Sequence, residues 1–230
     1  SRRKKALEDY FDRDPELETV FKAEGAAGKL ERIAPPAVNV SFVRQPEMRG
    51  TGHALLQAAP WLGGEPCVVA YPDDLHFGEP PLARQLMDVY ERTGCSVLSG
   101  LHEPGDVSRY GVIDPAPDGV HVRGFVEKPA PGTEPSREIS LGRYLYTPEF
   151  FEILAEGWAK HRGGEYYHAY ALDRLISAGK VAWAPVSGTR LDTGDPAGFL
   201  DALLRYAWED PGYRGVLESF FREKIEKPAL

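Results

Sequence analysis

Three acids in this sequence stand where a carboxylate can hold a metal ion. Asp73 and Asp74 follow the apolar run Cys67–Tyr71 and a proline, Pro72; Asp192 follows Arg190 and Leu191. In an open α/β sheet, ligands sit just beyond the carboxyl ends of strands. An aspartate there can hold a hard cation, and the cation can bind phosphates. Two carboxylates from separate strand ends, Asp73 and Asp192, suit Mg2+, which takes one or two protein oxygens and fills its shell with phosphate and water. The plainer alternative is capping: an aspartate also caps the helix that follows it, and Thr193-Gly194 is good turn material.

Three further groups of residues have types suited to binding. In Phe125-Val126-Glu127-Lys128-Pro129 the proline ends a strand. A carboxylate such as Glu127 can take two vicinal hydroxyls, and an adjacent ammonium, Lys128, can hold a phosphate as a point charge. A solvated surface pair is the common alternative. In Tyr110-Gly111-Val112, Gly111 either makes a turn or lets a ligand approach the backbone. The loop Arg44–Ala54 brings Gly50 and Gly52 to a helix start, where free N–H groups favour polar or anionic atoms. Gln45 offers a donor and an acceptor to the edge of a base. His53 is either a cap or a base contact, and the whole loop is otherwise a tight strand-to-helix turn. The sequence has no zinc-type Cys/His spacing, no Gly-x-Ser-x-Gly elbow and no Walker A loop.

The elements that must carry these residues follow from periodicity. The runs Val38–Val43, Cys67–Tyr71 and Cys95–Leu101 read as strands, with helices from Gly52 to about Ala59 and from Pro81 to Glu91 between them. That alternation is the βαβ signature of a parallel sheet. An amphipathic helix covering Leu7 to Leu30 precedes it. After Glu103 the pattern changes to antiparallel material: Tyr110–Asp114, Val120–Val126 and Ile139–Tyr146. A helix opens at Thr147-Pro148, with Thr147 as its N-cap. Further helices follow over Tyr166–Ala178, to about Trp208, and over Pro211–Lys224, with short strands at Val181–Val186 and before Asp192. The expected fold is α/β: a Rossmann-like mixed, mainly parallel central sheet flanked by helices, with a small antiparallel addition and C-terminal helices. The expected division is a catalytic domain over 1–210 and a C-terminal helix over 211–230 that either packs on the core or meets another subunit.

Bulk properties exclude several function classes. A formal net charge of −8 argues against nucleic acid as a partner. The two cysteines, Cys67 and Cys95, sit in apolar runs and read as buried thiols of a reducing compartment. No apolar run approaches the ~20 residues of a membrane span, so a cytoplasmic protein with no membrane partner is expected. The basic start Arg2–Lys5 reads as a solvated chain end.

In combination these motifs resemble the sugar-nucleotidyltransferase family. The carriers are Ser1 to Asp12, Arg44-Gln45 through Gly50-Thr51-Gly52-His53-Ala54, Pro72-Asp73-Asp74, Tyr110-Gly111-Val112-Ile113, Val126-Glu127-Lys128-Pro129, Gly142-Arg143-Tyr144 and Asp192-Thr193-Gly194. They occur in the family's order over nearly the whole chain. The resemblance implies a reaction of UTP with glucose 1-phosphate giving UDP-glucose and pyrophosphate, with Mg2+ held by Asp73 and Asp192. It implies that Gln45 and Gly50 contact the base, with Gly52, His53 and Asp74 among the substrate contacts. Gly111 and Glu127 would bind sugar hydroxyls, Lys128 the sugar phosphate, and Gly142 and Tyr144 would lie beside the sugar. A homodimer or homotetramer is the expected assembly. The open alternatives are transfer of a thymidylyl or cytidylyl group, and a non-catalytic protein that only holds the UDP-sugar.

Two departures from the family pattern carry expectations. The family opens with a strand and a Gly-x-Gly-Thr-Arg type loop, which do not stand before Ser1. The expectation is that further residues precede Ser1, and that this stretch alone does not catalyse the transfer. The family also often has Glu-Ile-Gln-Leu-Thr-Asp where this chain has Glu165-Tyr166-Tyr167-His168-Ala169-Tyr170.

Overall fold

The computed structural model describes residues 5–226. The first four residues, with Arg2, Arg3 and Lys4 of the basic start, and residues 227–230 lie outside that range. The elements in order are α1 (Lys5–Phe11), α2 (Pro15–Ala23), α3 (Ala27–Ile33), α4 (Thr51–Ala58), β1 (Cys67–Ala70), β2 (Asp74–Phe77), α5 (Leu82–Thr93), β3 (Ser96–His102), β4 (Gly111–Pro115), β5 (Val122–Glu127), β6 (Glu138–Tyr146), α6 (Pro148–Lys160), α7 (Ala169–Ser177), β7 (Val181–Pro185), β8 (Thr189–Asp192), α8 (Pro196–Glu209) and α9 (Pro211–Glu226).

The chain forms the expected α/β class, a mixed sheet flanked by helices. Its pairing is less parallel than the alternation predicts. The main sheet runs β5-β4-β6-β3-β7, with β1 also on β6. Among the described residues only β3 and β7 run parallel. The reason is β6, which inserts antiparallel between β3 on one side and β4 and β1 on the other. The core lies on the two faces of this sheet. Leu98, Ile113, Tyr146, Phe150, Leu154, Leu172 and Leu175 fill one side, and Leu86, Val97, Leu145 and Ala182 the other.

Local chemistry explains the breaks. The predicted N-terminal helix is three short helices, because Asp14 caps α2 by accepting the Leu17 N–H at 3.0 Å and Gly25 turns the chain at φ +66°. Val38–Val43 is irregular and unpaired, opening in a turn where the Val38 N–H donates to Pro36 C=O at 2.8 Å, with Val38 61% and Phe42 49% exposed. A strand needs a neighbour for its N–H and C=O groups, and no described segment supplies one. Thr147 is the N-cap of α6, but its hydroxyl contacts Ser96 Oγ at 3.1 Å instead of the helix. Asp195 caps α8 through the Gly198 N–H at 2.8 Å.

One detail of topology makes the site. β4 pairs with β6 at Glu138 and Ile139, and β1 pairs with the same edge from Arg143 onward. Between them Ser140, Leu141 and Gly142 face neither strand. The two strands approach this gap end-on: β1 with its carboxyl end, β4 with its start.

Candidate active site

A cavity of about 820 Å3 opens at that gap. Ser140 and Gly142 form its floor. Asp73 and Asp74 reach it from beyond β1, Tyr110 and Gly111 from the start of β4, Glu127 and Lys128 from the end of β5, and Asp192 from β8. Tyr144, Thr51, Tyr71, His168 and Arg190 are also among the lining residues. Eight of the residues singled out in the sequence thus line one cavity: Asp73, Asp74, Gly111, Glu127, Lys128, Gly142, Tyr144 and Asp192.

The group of Gly111, Glu127 and Lys128 is built by strand register. Gly111 pairs with Glu127 across β4 and β5. A Cβ on Gly111 would overlap the Phe125 ring and stand 3.0 Å from Glu127 Oε2. Glycine there gives the ring and the carboxylate their room. Lys128 follows with φ +48°, the one non-glycine residue in the left-handed region among those described. A non-glycine residue held there costs about 1–2 kcal/mol. Its N–H donates to Tyr110 C=O at 3.0 Å, which ties the turn to β4. Backbone strain of this kind is characteristic of functional turns. Glu127 and Lys128 are both exposed to the cavity solvent.

The acids divide into two kinds. Asp74 is buried, and its carboxylate is saturated by protein. It accepts from Arg190 Nε at 3.0 Å and Nη2 at 3.1 Å, and from the Gly142 N–H at 3.0 Å. Its place as a substrate contact is therefore taken by an ion pair that ties β2 to β8 and β6. Asp73 is exposed and Asp192 half-buried. Asp192 accepts the Gly194 N–H at 3.0 Å with Oδ1 and Arg190 Nη2 at 3.2 Å with Oδ2. Thr193 donates to the Asp73 carbonyl with its N–H at 2.8 Å and its hydroxyl at 2.9 Å, which binds the two acidic turns together. The point a Cβ on Gly194 would occupy lies 3.1 Å from Asp192 Oδ1 and 4.0 Å from Asp73 Oδ2. The two oxygens are therefore no farther apart than the sum of those distances, and the missing side chain leaves the space beside them open. That donor set, two carboxylate oxygens, fits a hard divalent cation completed by phosphate and water. No cluster of three or more acids, histidines or cysteines occurs among the described residues.

The glycine-loop group sits apart. Gln45, Gly50, Gly52 and His53 do not line the cavity; Thr51 does. Gln45 Nε2 donates to Gly50 C=O at 3.0 Å and stands 3.1 Å from His53 Nδ1. Gly50 (φ +90°) and Gly52 pack on the backbone of Tyr166 and Tyr167, where a Cβ on Gly50 would stand 2.5 Å from Tyr166 O. The Gly52 N–H donates to that same oxygen at 2.9 Å. So the segment Glu165–Tyr170 is what the glycine loop docks against. Tyr144 is buried, stacked on Tyr146 at 5.4 Å, and burial pushes its phenol pKa up.

Sequence reasoning gave no role to Tyr71, His168 or Arg190. The Tyr71 hydroxyl lies 3.0 Å from His168 Nδ1, and burial pushes His168 down to about 4, so it is neutral. Arg190 had a readable signal: it stands two residues before Asp192 on a strand, which places both side chains on one face.

Fold and site define a nucleotidyl-transferring protein, and the chain belongs to the nucleotidyl transferase family, whose model matches residues 6–209. It is 40% identical over 226 residues to the UTP–glucose-1-phosphate uridylyltransferase of Staphylococcus epidermidis, covering 96% of this chain and 78% of that one. The protein of the same name from Staphylococcus haemolyticus is 39% identical over the same shares. Among solved structures, the UTP-bound UGPase of Acinetobacter baumannii superposes with a TM-score of 0.82 at 26% identity, covering 95% of this chain and 78% of that one. A UDP-glucose pyrophosphorylase complexed with UDP-glucose gives 0.73 at 30% identity, covering 91% and 79%.

Proposed function

We propose that this chain transfers a uridylyl group: UTP and α-D-glucose 1-phosphate give UDP-glucose and pyrophosphate. The carrying observation is that one cavity in a nucleotidyl transferase fold gathers Gly111, Glu127 and Lys128 together with Asp73 and Asp192. Uridylyltransferases at about 40% identity support the uridylyl reading over a thymidylyl or cytidylyl transfer, and over a protein that only binds the product.

In the reaction an oxygen of the sugar phosphate attacks the α-phosphorus of UTP. The new P–O bond forms as the bond to the terminal diphosphate breaks, and pyrophosphate leaves with the electron pair. No side-chain nucleophile is needed, so the protein's work is positioning and charge stabilisation. Glu127 accepts hydrogen bonds from sugar hydroxyls, and Gly111 lets the ring come close to β4. Lys128 holds the sugar phosphate at the attacking end. Gln45 and Gly50 take the base, and Thr51 joins that region to the cavity. Asp73 and Asp192 hold Mg2+, which supplies charge neutralisation at the phosphates when bound.

The catalytic unit spans 1–210. The segment 211–230, which carries α9, lies outside it and meets another subunit of a homodimer or homotetramer; exposed Val216, Phe220 and Ile225 support that reading. Among the described residues no helix is long and apolar enough to cross a membrane.

The test is pyrophosphate release, with Mg2+ and UTP, by the purified protein together with any residues that precede Ser1. Release that depends on glucose 1-phosphate is expected. Release that ignores the sugar phosphate, or none at all, overturns the reading.

A further inference from the structure

We propose that His53 is a positioning residue for nucleobase selection: with the Gly50 carbonyl it fixes the Gln45 amide so that its oxygen, not its nitrogen, faces the base. The inference rests on the uridylyl reading and concerns how that base is chosen.

A carbonyl oxygen only accepts, so the Gln45 group 3.0 Å from Gly50 C=O has to be its NH2. The carbonyl itself cannot swing away, because Gly50 holds φ +90° against the Tyr166 backbone. The second hydrogen of the same NH2 meets His53 Nδ1 at 3.1 Å. That nitrogen must accept, so the imidazole carries its proton on Nε2. Gln57, one turn on in α4, brings its amide nitrogen to 3.3 Å from Nε2 and 3.3 Å from the His53 carbonyl; with Nδ1 held as the acceptor of the Gln45 NH2, that nitrogen donates to the carbonyl, and Nε2 keeps its proton. His53 is 7% exposed, and its ring lies 4.6 Å from the Trp158 ring. It does not line the cavity. Its action on a ligand passes through Gln45.

Both hydrogens of the Gln45 amide are then used. Its Oε1 has no partner among the described residues and is not among the buried unpartnered atoms. A fixed, open acceptor pairs with the N3–H of uracil. Cytosine carries a lone pair at N3, which such an oxygen repels. Rotating the amide to suit cytosine would turn its oxygen onto Gly50 C=O and the Nδ1 lone pair.

The experiment compares kcat/KM for UTP and CTP in the wild type, His53→Leu and His53→Asn. Leucine fills the space and removes the acceptor; asparagine restores an acceptor near Nδ1. The UTP-to-CTP ratio should fall roughly tenfold or more in His53→Leu and stay within about threefold of wild type in His53→Asn. A ratio unchanged in the leucine variant, or lost equally in both, overturns the proposal. Should His53→Leu fail to fold, 15N spectra of the wild-type imidazole decide: a proton on Nε2 supports the proposal, one on Nδ1 overturns it. A wild type without UTP preference removes the uridylyl reading and the proposal with it. A UTP preference that His53→Leu retains removes the His53 role alone.

Discussion

Replacing Asp74 by asparagine distinguishes a structural acid from a substrate contact. The side chains of Asp74 and Arg190 are only 12% and 13% exposed, so water does little to screen their pairing. The carboxylate accepts three close hydrogen bonds, two from Arg190 and one from the Gly142 N–H. Asparagine keeps the size but has one acceptor, and its NH2 must face a donor. Removing one partner of a buried pair costs about 3–5 kcal/mol. Arg190 keeps a second carboxylate, Asp192, at 3.2 Å, which brings the expected loss to the lower end, about 3 kcal/mol. For a chain of this length that is a fall in Tm of about 6–12 °C. Thermal unfolding gives the stability, and steady-state kinetics well below the transition give the Michaelis constants. The expected pattern is a large loss of stability, with KM for either substrate changed less than about threefold. A Tm within about 2 °C of wild type together with a sharply raised KM would refute the assignment.

Glu127→Gln should raise KM for glucose 1-phosphate more than KM for UTP, because a hydroxyl-binding carboxylate contributes about 1.5–3 kcal/mol; equal changes in the two constants would count against a sugar role. Lys128→Gly removes strain of about 1–2 kcal/mol at φ +48° but gives the unfolded chain more freedom, about 0.5–1 kcal/mol. Its urea midpoint should therefore move by little more than a 1 kcal/mol change while turnover falls steeply; retained turnover would remove Lys128 from the phosphate site. His168 protonates near 6.5 when unfolded and near 4 when folded. Between those values the unfolded chain binds more protons, so the contribution is whole above pH 6.5 and is lost as pH falls toward 4, by up to about 3 kcal/mol. Urea midpoints should show that slope in the wild type and a flatter one in His168→Gln; parallel slopes would show that His168 is not its source.

Much of the site was legible because its residues sit at strand ends, which short motifs mark. Pro129 announces the end of β5, and Pro72 the end of β1. Gly111 and Glu127, sixteen positions apart in the chain, could be paired only through the β4–β5 register. What was not legible depends on partners. Val38–Val43 has the composition of a strand, but pairing is a property of two segments. The antiparallel path of β6 is set by where β1 and β4 end. Four residues make β2, too few for periodicity to register, and its pairing with β8 places Asp74 opposite Asp192. Without that pairing Asp74 looked equivalent to Asp73, although one is locked to Arg190 and the other is exposed. The glycines of the Arg44–Ala54 loop read as ligand-facing, yet their nearest neighbours are the Tyr166 and Tyr167 backbones.

The central claim is that the gap between β1 and β4 holds the sugar nucleotide. A crystal structure of the protein with UDP-glucose and Mg2+ tests it most directly. The account predicts the hexose hydroxyls on Glu127 beside Gly111, the diphosphate near Lys128, and the cation bound by Asp73 and Asp192. A hexose or diphosphate bound outside that cavity, or a cation held by neither aspartate, would contradict it.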